Sequence, residues 1–154
     1  MAGKAGLKAG LFGTAVMVVW TVIGRFIPTS GALMWVSSGV SLLLYAGIGV
    51  LAGFFLSPPR KPNKGAGAGA LAGLISGMIA GTIGTVILVI QMAAGGDIPG
   101  INPQQAQQMQ RLTEMGIDPK TFALMALPGV ICITSIGAGL AAIGGAIFAA
   151  VRTD

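Results

Sequence analysis

Histidine is absent from these 154 residues, cysteine occurs once, and only four side chains are acidic. Each shortage removes a class of chemistry. With no imidazole and a single thiol, the chain holds no convincing ligand set for zinc, haem or an iron–sulfur cluster, and no Ser-His-Asp relay can form. No cofactor and no enzymatic activity are therefore expected. The lone Cys132 precludes an internal disulfide, and its place in an apolar run predicts a small buried residue. Asp97, Glu114, Asp118 and Asp154 all lie outside the long apolar runs. That leaves no carboxylate within lipid, where proton-coupled transporters commonly keep an ionisable group.

What the chain has in excess is apolar residues: 54% are hydrophobic and 8% charged, with a mean hydropathy of +0.87. No ordinary soluble domain has this composition. The formal charge of +5 does not point to nucleic acid, because the nine basic residues stand in small groups at the edges of apolar runs. That placement is a membrane topology signal.

Four spans follow, at about residues 8–27, 31–56, 66–94 and 119–151, forming one membrane domain over 1–154. Sixteen uncharged residues separate Lys8 from Arg25, about 24 Å of helix, enough to cross if both basic side chains reach the interfaces. Lys4 and Lys8 ahead of an apolar run also resemble a secretory signal, with Ser30-Gly31-Ala32 as its cleavage site. We expect a retained first span instead. The second run carries no charge from Gly31 to Leu56 and stops at Ser57-Pro58-Pro59-Arg60. The fourth opens with Asp118 as N-cap and Pro119 at the first helical position, and Pro128 is expected to kink it or split off its first turns.

Lys4, Lys8, Arg60, Lys61, Lys64 and Arg152 fall on one side of an up-down bundle of four spans. The positive-inside rule makes that side cytoplasmic, with both termini there, in the cytoplasmic (inner) membrane. Residues 95–118 then form the outer loop. Asn102-Pro103, five glutamines and Gly116 predict a capped helix there, with Ala106, Met109 and Leu112 on one face: a short amphipathic element outside the membrane, either a connector resting on its own bundle or a helix lying on the membrane surface or a partner. Arg25 is expected near the outer surface. The two halves of the chain are only weakly alike, so an internal duplication has little support.

The most conspicuous pattern is a glycine zipper: Gly65, Gly69, Gly73, Gly77 and Gly81 recur every fourth residue, flanked by Ala68, Ala72, Ser76, Ala80 and Gly84. In water each interior glycine costs a helix about 1 kcal/mol relative to alanine. Lipid enforces helix regardless, and small residues then admit another backbone. A quieter row, Gly137, Ala141, Gly145 and Ala149, marks the fourth span. We expect the third span to pack on the fourth, or both to meet neighbouring subunits. The run Gly65-Ala66-Gly67-Ala68-Gly69 lacks the Gly-Lys-Ser/Thr ending of a phosphate-binding loop.

Polar groups inside the spans are few. Ser37, Ser38, Ser41, Thr82, Thr85 and Thr134 are expected to bond within or between helices. Tyr45, Thr82, Thr85, Gln91 and Thr134 are the candidate lining of a solute path, Tyr45 and Gln91 foremost. Trp20 and Trp35 mark interfacial or protein-facing positions. Two readings of function result. The first is a non-enzymatic structural or accessory subunit, whose partners are the bilayer and other membrane subunits or further copies of itself, with no nucleic acid. The alternative is a small channel or carrier for a neutral or weakly polar solute.

Overall fold

In a computed structural model of the chain, residues 2–24, 32–93, 107, 111 and 114–152 are described. Among them there are four long helices and no strand: α1 (Ala2–Gly24), α2 (Ala32–Phe54), α3 (Pro62–Ala93) and α4 (Pro119–Val151). All four are long and apolar enough to cross a membrane. Their surface agrees with that solvent, since Leu43, Ile136 and Ile143 expose 73%, 62% and 58% of their area. In water so much apolar surface would drive association; against acyl chains it costs nothing.

The ends of the helices follow local chemistry. α1 starts six residues before Lys8, with Lys4 and Lys8 exposed on its first turns. A charged helical turn beyond the hydrocarbon needs no break, because its backbone groups bond within the helix. α3 starts at Pro62, which fits a first turn where an N–H has no partner. At α4 the Asp118 carboxylate accepts from the Thr121 N–H at 2.9 Å, with Pro119 following as the first helical residue. α4 then continues unbroken through Pro128 to Val151, so its first turns are not split off.

Residue pairings give the arrangement. Gly13 meets Ile48 and Trp20 meets Ser41, so α1 and α2 are antiparallel. Gly65 pairs with Gly145, Gly73 with Ala138 and Gly81 with Val130, so α3 and α4 are antiparallel too. α1 packs beside α3, and α2 beside α4 and α3. The start of α1, the α2–α3 turn and the end of α4 thus share one end, called the basic end below. There Phe148 meets Phe54 edge-on at 6.3 Å between ring centroids. Arg60 lies 6.0 Å above the same Phe148 ring and donates from Nε to the Leu56 carbonyl.

Most of the outer loop, including Ala106, Met109 and Leu112, lies outside the described residues, as do Arg25 and Asp97. Gln107, Arg111 and Glu114 are helical and exposed. Gly116, with φ +75°, ends that stretch in the left-handed conformation that favours glycine at a helix C-terminus.

Candidate functional site

The small residues of α3 serve two neighbours. A methyl group on Gly65 would collide with the Gly145 carbonyl, and one on Gly69 with the Ala141 carbonyl. On Gly73 it would stand 2.8 Å from the Ala138 Cα. Backbone therefore faces backbone along this stretch of α3 and α4. The flanking row turns to α1 instead: Gly6 sits against the Ala68 carbonyl, and Gly10 against the Ala72 Cα and the Ile75 side chain. α2 closes the same junction from the far side, where Gly49 abuts the Ala141 carbonyl and Gly144 the Ala46 carbonyl. One peptide group of α4, at Ala141, is thus enclosed by glycines of two helices.

Such spacing brings Cα–H groups and carbonyl oxygens of adjacent helices together, a weak but repeated attraction. It also explains the identities: any side chain at Gly49, Gly65 or Gly69 would have to push a backbone aside.

The pattern changes beyond Gly73. Gly137 receives the flat of the Tyr45 ring, whose Cε1 would lie 2.6 Å from a methyl group there. At Gly77 the neighbours are the Thr134 methyl and, each 3.2 Å from the same point, the hydroxyls of Thr134 and Tyr45. At Gly81 the Val130 side chain is nearest, and at Gly84 nothing lies within 4 Å. Gly84 instead lines a cleft of about 350 Å³.

All four helices contribute to that cleft. α1 brings Met17 and Thr21, α2 brings Ser41 and Tyr45, α3 its face from Gly77 to Thr85, and α4 Val130, Ile133 and Thr134. Among the described residues, no charged side chain lines it. Several hydroxyls near or in it are already committed as donors: Thr21 to the Met17 carbonyl, Ser41 to the Ser37 carbonyl, and Thr85 to the Gly81 carbonyl. Ser41 also accepts from Trp20 Nε1 at 2.9 Å. Tyr45 and Thr134 differ. They are 7% and 3% exposed, and neither hydroxyl has a hydrogen-bond partner among the described residues.

Tyr45 and Gln91 are not brought together on described side chains: Tyr45 sits midway along α2, whereas Gln91 belongs to the last turn of α3 and its side chain lies outside the described residues. Cys132 is a correction. It is exposed, not buried, because the inward face of α4 at that level is taken by Val130 and Thr134, one turn apart. Trp35 is 81% exposed, whereas Trp20 is tied to α2.

Sequence reasoning missed the small faces of α1 and α2. Ala5, Gly6, Ala9, Gly10 and Gly13 are buried in α1, and Gly49 and Gly53 are buried in α2. The signal was present, because these rows repeat at four-residue intervals as in α3; it was diluted by larger neighbours and by the glycines Gly3, Gly39 and Gly47, which meet nothing within 4 Å. No family model, curated protein or solved structure matches this chain.

Proposed function

We propose that this chain is a non-enzymatic membrane subunit with a structural or accessory role, built as a glycine zipper and carried in a larger membrane complex or homo-oligomer. The observation that carries this reading is the junction at Ala141, where α2, α3 and α4 meet with no side chain between them. Contacts of this kind give a rigid body, since backbone on backbone has no rotamers to change. A scaffold benefits from that rigidity.

The face for a neighbour is a different one. On α4, Gly139 is exposed and a methyl group there would meet nothing within 4 Å. Ser135, Ala142, Ala146 and Ala150 continue a small-residue strip past it that the other three helices leave wholly or partly uncovered. A further helix of a partner or a second copy fits such a strip as α3 fits the opposite side of α4.

The topology follows from charge. By sequence position the basic end carries six basic residues and Asp154, net +5, and the other end has Arg25, Arg111 and Lys120 against three acidic residues, net zero. We place the basic end and both termini in the cytoplasm of a cell whose cytoplasmic membrane holds the protein. The residues of the outer loop then supply a short amphipathic helix at the outer surface.

Mild extraction followed by native mass spectrometry tests the reading. The wild-type chain is expected in a stable complex, and Gly139→Leu is expected to release it as a folded monomer. A chain that is monomeric before the substitution, or a complex indifferent to it, sinks the proposal.

A further inference from the structure

The cleft beside Tyr45 bears on a separate property, one that does not depend on the structural reading. Its volume of about 350 Å³ lies at the lower end of the roughly 300–1,000 Å³ typical of small-molecule sites. Its depth is set by the contacts below it. Inward of Tyr45, Gly77 and Thr134, α3 and α4 close backbone to backbone at Gly73, Gly69 and Gly65, so the lining residues end at the middle of the helices. Toward the other end a methyl group on Gly84 would meet nothing within 4 Å.

The chemistry of the walls restricts the occupant. Among the described residues no charge lines the cleft, so an ion would find no compensation from them at this depth. Met17, Ala80, Val130 and Ile133 present carbon, which suits an apolar body. Two groups do not fit a purely apolar guest. Hydroxyls elsewhere in the spans, such as those of Thr14, Thr82, Ser76 and Ser135, donate to the carbonyl four residues back. Thr134 does not; its methyl group and its hydroxyl both stand against Gly77. Tyr45 cannot, because its hydroxyl stands too far from its own backbone. Both are more than nine-tenths buried and both line the cleft floor. Buried donors without acceptors are disfavoured, and they mark a place where an acceptor belongs. Thr21, Ser41 and Thr85 have already committed their protons, so the donors available to a guest are Tyr45 and Thr134.

We infer that this cleft binds a small neutral amphiphile from the bilayer: an apolar chain or ring bearing one hydroxyl or carbonyl oxygen, held with that oxygen at Tyr45 and Thr134. Water alone would satisfy the two hydroxyls but not the carbon walls; an alkane would fill the walls but not the hydroxyls.

The test uses the full chain in vesicles of phosphatidylcholine and phosphatidylglycerol, with a diazirine-bearing decanol as photoreactive probe and peptide mass spectrometry as readout. Labelling is expected to concentrate on Ala80 to Thr85 and Val130 to Thr134. Decanol and a methyl ketone of equal length should compete at concentrations roughly tenfold lower than the matching alkane, about 1.4 kcal/mol of preference. Gly84→Leu, which places a side chain where the glycine leaves space, should abolish cleft labelling while helix content and elution volume stay unchanged. Tyr45→Phe with Thr134→Val keeps the shape, so labelling should persist while the preference for an oxygen disappears. Three results overturn the inference: labelling as dense on Leu43 and Ile136 as in the cleft, an alkane that competes equally with wild type, or an oxygen preference that survives the double substitution.

Discussion

Between Gly65 and Gly73, α3 lies on α4 with peptide groups in contact, whereas at Gly77 and Gly81 the same face of α3 meets side chains, and Gly84 of the flanking row borders the cleft. The four-residue glycine spacing runs unchanged from Gly65 to Gly81. The opposing residues change: Gly145, Ala141 and Ala138 stand opposite the first half, Thr134 and Val130 opposite the second. A methyl or isopropyl group on the facing helix is enough to hold two backbones apart, so close approach requires small residues on both sides. A glycine row is permission for contact, and its partner decides whether contact happens.

One substitution made along the row breaks or sharpens that contrast. Gly69→Ala drives a methyl group into the Ala141 carbonyl, and because backbone cannot rotate away, we expect a loss of about 3 kcal/mol, at the upper end of overpacking costs. Reversible unfolding in mixed detergent, followed by circular dichroism, measures it; a loss below that of the next variant would remove the distinction between the halves. Gly81→Ala meets a Val130 methyl at 2.7 Å as its nearest atom, the far end of a side chain that can turn, and about 1 kcal/mol is expected in the same assay. Gly84→Ala meets nothing. It should be neutral or stabilising by about 0.5 kcal/mol, since alanine restricts the unfolded chain more than glycine does. A destabilisation at Gly84 matching that at Gly69 would show that the row acts through helix propensity and not through contact.

Which parts of this were legible beforehand depends on range. The spans were legible because crossing a hydrocarbon layer demands a long uncharged run, a property of consecutive residues. The start of α4 was legible for the same reason: Asp118 caps an N–H three residues away, and Pro119 sits where no N–H is needed. The helix through Pro128 was harder. A proline removes one bond of a ladder that continues on both sides, and neighbouring turns decide whether the helix ends there. Cys132 was misplaced because an apolar run looks the same on its lipid and protein faces. In water polarity would have separated them; in lipid both faces are carbon.

Tyr45 shows the same limit. Sequence marks it as a polar group inside a span, a candidate for a path. Its burial against Gly137, and its place beside Thr134 with no partner among the described residues, depend on α2 and α4 meeting at one level. No local pattern carries that information.

The sequence by itself determined four apolar helices, the N-cap of α4, the distribution of charge between their ends, and the faces on which a backbone can be approached. Those are properties of neighbours along the chain and of residue size. Only the tertiary structure decided that the glycine row of α3 faces α4 while its alanine row faces α1, that Gly49 and Gly69 share the Ala141 carbonyl, and that Gly84 borders a cleft. The physical reason is that small residues permit close packing without specifying a partner. The choice among partners is made by the fit of whole helix surfaces, which lie far apart in sequence.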